Sequence, residues 1–223
     1  LAALNAAGIG TDGQRGYHLL WYASVRGVTC LAPNVGTEQT FALLDEWAPD
    51  PARPERDEAL AILTRRYVRS HGPVTAREFA GWTGLTLTDA RRGFAAAGDT
   101  LAPVQVDGEE MLVDAELLDA PRTPVDDVLA LPGFDEYLLG YRDRSLMLDP
   151  AHRDAIIPGN NGVFQPTIVH GGRVVGTWRR TIGKSRVTIK VTPLAAMDQP
   201  GTERALARYA EFRGLPYRVD WAR

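Results

Sequence analysis

The sequence predicts an α+β fold: a helix-and-hairpin pattern that occurs twice, the first time incompletely, and then a strand-rich segment with a terminal helix. Three observations predict it. Helical periodicity gives way to hairpin-like alternation in the same order over residues 1–48 and 58–118. Pro-rich, charged stretches at 49–57 and 119–130 separate the segments. From 131 to 223, β-branched runs joined by glycine turns dominate.

In the first segment, "LAALNAAGI" has helical propensity but reads as the middle of an element. The expectation is a fragment whose upstream part is missing. A second helix is predicted over 14–26, with Gly27 as its cap. "VTCLAP" and "EQTFALL" read as two strands joined around Asn34, Val35 and Gly36. Tyr17, Trp21 and Tyr22 on the second helix are expected in a core. Helix, helix, hairpin is the tail of a winged helix-turn-helix, so this unit is predicted to be truncated.

After the 49–57 linker the order recurs in full. Residues 58–70 form an amphipathic helix with Leu60, Leu63, Tyr67 and Val68 inward. Thr75 caps the next helix, and Glu78 three residues later suggests a capping box. Thr86 or Thr88 caps a third helix, where Asp89 suits the positive helix end. Two strands flank Asp107-Gly108, a strong two-residue hairpin signal. Three helices and a hairpin define a winged helix, complete over 58–118. Beyond the 119–130 linker, "VFQPTIV", "RVVGTWRR" and "RVTIKVTPL" read as an antiparallel meander turned at His170-Gly171-Gly172 and Gly183-Lys184-Ser185. A helix over 202–213 follows, stopped at Gly214, and "YRVDW" can return to the sheet.

The formal net charge of −3 does not favour a polyanionic partner, but its distribution does. No Asp or Glu occurs from 155 to 197, where Arg173, Arg179, Arg180, Lys184, Arg186 and Lys190 all fall. Lys and Arg meeting phosphates supply most DNA affinity. The candidate DNA-binding residues are therefore Arg173, Arg179, Arg180, Lys184 and Arg186 in the strands, with Arg179, Lys184 and Arg186 as a possible stripe. Strand alternation puts Val174, Gly176, Trp178 and Arg180 on one face and Arg173, Val175, Thr177 and Arg179 on the other. The third helix adds Thr86, Thr88, Arg91 and Arg92, and the first unit adds Arg15. Arg91 and Arg92 are adjacent and point about 100° apart, so one groove does not take both. The alternative for all of these is a solvated surface. Asp135, Glu136, Arg142, Asp143 and Arg144 read as a salt-bridge set rather than an acid–base site.

Other chemistries find no motif. Cys30 is the single cysteine, and histidines 18, 71, 152 and 170 show no zinc spacing. No metal site, cofactor or membrane span is expected. The expected setting is the cytoplasm and the expected state a monomer.

"LPGFDEYLLGYRDRS" and "PGNNGVFQPTIVHGGRVVGTWRR" resemble the C-terminal domain of the bacterial AlkZ-like (YcaQ-related) winged-helix family. "QTFALLDE" and "HGPVTAREFAGWTGLTLTDAR" resemble the units that precede it. The resemblance implies tandem winged helices followed by a β-barrel-like domain, and double-stranded DNA as partner. It also implies kinship with glycosylases that remove alkylated purines or unhook crosslinks. The family's catalytic Gln-x-Gln or Gln-x-Asp motif belongs to an N-terminal region expected to lie ahead of residue 1. No catalytic residue is therefore assigned. Gln105-Val106-Asp107 spells the motif by coincidence, on the strand before a hairpin turn. Two other functions stay open: a non-catalytic, regulatory DNA-binding protein, and a winged-helix module for protein contacts.

Overall fold

The computed structural model describes residues 1–120 and 127–222 of the chain. Part of the second linker, 121–126, therefore lies outside the described residues. The chain divides into two compact units, Leu1–Glu55 and Arg56–Arg223.

The first unit contains α1 (Ala2–Ala6), α2 (Arg15–Val25), the strands β1 (Thr29–Val35) and β2 (Glu38–Leu43), and one helical turn, α3 (Leu44–Trp47). β1 and β2 pair antiparallel from Thr29↔Leu43 to Val35↔Glu38, so the turn sits at Gly36-Thr37. Gly36 there has φ of 63°, a conformation glycine adopts without strain. The aromatic residues of α2 depart from expectation. Tyr17, Trp21 and Tyr22 are 60%, 54% and 59% exposed rather than in a core. No large hydrophobic side chain of this unit is fully buried among the described residues. The reason is geometric: a five-residue helix and a two-stranded hairpin offer one face each, too little to enclose three aromatic rings.

The second unit begins with α4 (Arg56–His71), α5 (Ala76–Thr83) and α6 (Leu87–Ala97), followed by the hairpin β3 (Leu101–Val106) and β4 (Glu109–Asp114). Tyr67, Val68, Val74, Phe79 and Ala90 form its core. α4 and α6 approach closely because residue 93 is glycine; a Cβ there would strike Thr64 Oγ1 and sit 3.3 Å from the Leu60 carbonyl. Asp107 and Gly108 both take positive φ, 49° and 85°, as a tight hairpin turn requires. Val74 adds a third short strand, exchanging amide bonds of 2.9 and 3.0 Å with Leu112.

The rest is a five-stranded sheet in the order β5-β6-β7-β8-β9: β5 (Leu129–Leu131), β6 (Thr167–His170), β7 (Arg173–Ile182), β8 (Val187–Pro193) and β9 (Tyr217–Trp221). α9 (Gln199–Arg213) covers one face through Leu206, over Ile168, Trp178, Ile189 and Val191. The single-turn helices α7 (Glu136–Leu139) and α8 (Arg153–Ile156) help cover the other, where Leu138, Ile156 and Phe164 meet Val169 and Val174. The expectation of a purely antiparallel sheet is corrected here. β9 runs parallel to β8, with Val187↔Tyr217 and Val191↔Trp221 in register. A parallel pair needs a crossover rather than a tight turn, and α9 is that crossover. No ladder joins β5 to β9 among the described residues, so the sheet stays open.

The Gly93 contact yields a test. Gly93→Val is expected to lower unfolding free energy by about 1–3 kcal/mol by overpacking α4 against α6. Urea denaturation measures it, and an unchanged midpoint would show that the two helices can separate freely.

Candidate functional site

The predicted cations do not share one environment. On α6, Thr86 is the N-cap: its hydroxyl accepts from the Asp89 amide at 3.1 Å and donates to the Asp89 carboxylate at 3.0 Å. Arg92 donates to Asp57 on α4 at 2.9 Å, and Arg56 reaches back to Asp89 at 2.9 Å. These crossed pairs fasten α4 to α6. Thr86 and Arg92, both exposed, are thus each engaged by an acidic neighbour. Thr88 and Arg91 remain exposed on the same helix. Arg15 is the first residue of α2, exposed, in the other unit.

In the sheet, the pattern read from strict alternation fails at one point. Ile168 pairs with Gly176 but Val169 pairs with Val174, so Val175 is the extra residue of a bulge. Val174 therefore faces away from Trp178, while Val175 packs with it under α9. Beyond the bulge, alternation holds. Arg180 follows Trp178 onto the helix side, with its guanidinium 5.2 Å from the Tyr209 ring centre and 6.0 Å from that of Trp178. Stacking on two aromatic rings gives it a packing role. Arg179 lies on the opposite face, where it donates to the Gln165 side chain at 3.1 Å.

Cross-strand pairing adds a residue absent from the predicted set. Arg179 stands opposite Lys190, so the two cations share one face. Exposed Thr181 and Thr192 lie on that face as well. Lys190 is visible in the sequence among the cations of the acid-free stretch, and only the register shows its partner. Lys184 and Arg186 are exposed in the β7–β8 turn. Arg173 is exposed at the start of β7, beside a turn that Tyr137 anchors by donating to the Gly172 carbonyl at 2.5 Å. Burial pushes the Tyr137 phenol above its ordinary value.

The three helices meet the sheet at a polar and aromatic seam. Glu78 makes only half of the anticipated capping box. Its amide donates to Thr75, but its carboxylate accepts the amides of Arg142 and Asp143 at 2.8 and 3.3 Å. His71 is buried, stacked on Tyr67 with ring centres 4.5 Å apart. Its Nε2 lies 3.2 Å from Glu136, which also accepts the Trp82 indole N–H. The Tyr141 hydroxyl donates to the His71 carbonyl at 2.7 Å. An open cleft of about 490 Å³ adjoins this seam, lined by His71, Thr75, Glu78, Met111, Tyr141 and Asp143 among others. The anticipated salt-bridge set is not made. Asp135 caps α7, Glu136 faces His71 and Trp82, and Asp143 binds Ser145.

Comparison with known proteins decides the family. The model of the family described as DNA glycosylase AlkZ-like matches residues 1–212. The chain belongs to the AlkZ-like DNA glycosylase family. It is 32% identical over 205 residues to an interstrand DNA cross-link repair glycosylase of Streptomyces sahachiroi, covering 87% of this chain and 55% of that one. The solved structure of Streptomyces sahachiroi DNA glycosylase AlkZ superposes with a TM-score of 0.72, at 32% identity and the same coverages. The chain thus spans about half the length of these relatives.

In this AlkZ-like chain, Gln105-Val106-Asp107 lies at the end of β3 and in its turn, with Gln105 exposed and paired to Glu110. Among the described residues, no group of three or more His, Cys, Asp or Glu side chains is placed to hold a metal ion. None of the described helices is long and apolar enough to cross a membrane.

Glu136 carries a pH prediction. The Trp82 indole first, and His71 second, hold its carboxyl below its ordinary value of 4.5. The folded state therefore favours the ionised form. That contribution is complete at neutral pH and disappears as pH falls below 4.5 through the depressed folded value. Half-exposure keeps it small. Glu136→Gln is expected to cost about 1 kcal/mol or less at about pH 7 and less than that at about pH 3. Urea melts at the two pH values measure this, and an equal loss at both would assign the effect to packing alone.

Proposed function

We propose that these residues are the duplex-gripping part of a DNA-repair glycosylase that acts on alkylated or crosslinked bases. In this reading residues 58–118 work as a winged helix, with 1–48 as part of another, and 131–223 as the β-rich domain that supplies most phosphate contacts. The observation that carries the proposal is the β7–β8 ladder. Arg179 and Lys190 sit side by side on its polar face, with Lys184 and Arg186 at its turn and no carboxylate anywhere in either strand. Positive groups spaced along a ladder can follow a phosphate backbone without reading sequence.

The paired state of Arg92 and Thr86 favours the sheet over α6 as the main contact. Thr88 and Arg91 are then the groups that α6 contributes. Double-stranded DNA is the proposed partner, and the proposed setting is the cytoplasm. No residue of this chain is assigned to cleavage of the N-glycosidic bond. Base excision is proposed for the whole protein, where a polar side chain would steady the sugar cation as a modified base departs.

Fluorescence anisotropy with an alkylated duplex at several salt concentrations tests this. The log–log salt slope is expected to fall by about 2 in Lys184→Ala/Arg186→Ala, at about 0.9 per phosphate lost. Arg92→Ala is expected to lower stability and leave the slope unchanged. A duplex affinity indifferent to salt, or to the double substitution, would refute the proposal.

A further inference from the structure

A second cluster of cations lies between the sheet and the seam, in the two stretches where the sequence pairs Arg142 and Arg144 with acids. Arg142, Arg144 and Arg153 line one cleft of about 180 Å³, together with Asp143, Ser145, Leu148, Pro150 and Ile157. None of the ion pairs among the described residues uses any of the three arginines. The acids nearest in sequence are occupied. The Asp143 carboxylate accepts the Ser145 amide at 2.9 Å, Asp154 accepts the Gly159 amide at 2.8 Å, and Asp149 accepts that of Ala151 at 2.8 Å.

The guanidinium groups of Arg144 and Arg153 are also held in place. Arg144 is half-buried: its Nε donates to the Leu138 carbonyl at 2.6 Å, its Nη1 to the Arg142 carbonyl at 3.4 Å, and its plane lies 5.0 Å from the Phe164 ring centre. Arg153 donates to the Asn160 side chain at 3.1 Å, in the "PGNNG" loop that no other role explains. Arg142 lies over Gly81, where a Cβ would come within 2.8 Å of its Cδ, and its backbone amide is fixed by Glu78. Burial, and then the nearby Arg153, pull the basicity of Arg144 below its ordinary value. A half-buried cation beside another is less favourable until an anion joins them. Guanidinium forks match the oxygens of a phosphate in pairs.

We propose that Arg142, Arg144 and Arg153 form a preorganised phosphate-binding notch that takes one backbone phosphate of the DNA. The proposal rests on the duplex-binding reading above and adds a fixed anchor to it. The three arginines carry the charge of the ligand's counterpart, and their neighbours set its position.

The test uses the intact 223-residue chain in two arms. Inorganic phosphate is titrated while the arginine side-chain resonances are followed by NMR; duplex affinity is measured across salt concentrations. Arg153→Ala is the first variant, because Arg153 is exposed and bonds only to a loop side chain. Arg144→Lys is the second; it keeps the charge and removes the fork. Arg153→Ala is expected to weaken duplex binding about 3- to 10-fold near 100 mM salt and to reduce the slope by about 1. Arg144→Lys is expected to weaken both phosphate and duplex binding. Salt-dependent duplex binding that neither variant changes would overturn the notch and leave the wider reading standing. Phosphate shifts at these arginines with unchanged duplex binding would make the ligand a free phosphate and overturn the DNA assignment. Absence of any duplex binding by the unaltered chain would remove the wider reading itself, and this anchor with it.

Discussion

The carboxylate of Glu78 decides how the second unit is put together. In an isolated helix it would turn back to cap its own first turn. Here it reaches outward and takes the amides of Arg142 and Asp143, two groups that a loop would otherwise leave to water. That choice pins residues 141–145 against α5. Tyr141 then completes the helical core and bonds to His71, while Trp82 and His71 hold Glu136, the first residue of α7. One glutamate thus replaces a local cap with a long-range tie. The tie is charge-assisted, and such bonds are about twice as strong as neutral ones. It also sets the direction in which the chain leaves the seam, and so where Arg142 and Arg144 arrive.

Charge pairing divides the molecule by role. Three arginines of the helices serve structure: Arg56 and Arg92 join α4 to α6, and Arg69 joins α4 to Asp114 and Glu116 at 2.7 and 2.8 Å. In the sheet and the loops before it, the carboxylates are scarce or already committed to caps and turns. Arg173, Arg179, Lys184, Arg186 and Lys190 make no ion pair among the described residues. Exposed ion pairs are individually weak, so their value on α4 and α6 lies in geometry more than in energy. These five stay unpaired, whereas Arg218 in β9 pairs with Asp220 at 2.7 Å.

What the sequence made legible follows the range of the interaction. Asp107-Gly108 and Gly171-Gly172 were readable because a turn is decided by four neighbouring residues, and all four residues have positive φ. Thr75 and Thr86 were readable as caps for the same reason. Several contacts that the sequence did not show involve distant partners. Arg92 finds Asp57 across 35 positions, and Glu78 finds Arg142 across 64. The parallel direction of β9 depends on the crossover that contains the 15-residue α9, not on the strand itself. The bulge at Val175 inserts one residue, and strict alternation has no way to announce it. For the site, the acid-free stretch and the separation of Arg180 from Arg179 were visible by alternation, but the pairing of Arg179 with Lys190 needed the register.

A net charge of −3 and a polyanionic partner are compatible because electrostatics in salt water is local. At physiological ionic strength the screening length is about 8 Å, little more than the reach of one arginine side chain. An acid beyond that distance barely affects a phosphate at the β7–β8 turn. An acid already paired affects it less, since the field of an ion pair falls off faster than that of a single charge. Aspartates 57, 89 and 114 are paired in this way. The surface a phosphate meets is thus set by which cations lack partners, not by the sum over the chain. In the proposed reading, moving one unpaired acid into the β7–β8 ladder would change DNA affinity more than adding several to the outer faces of α4.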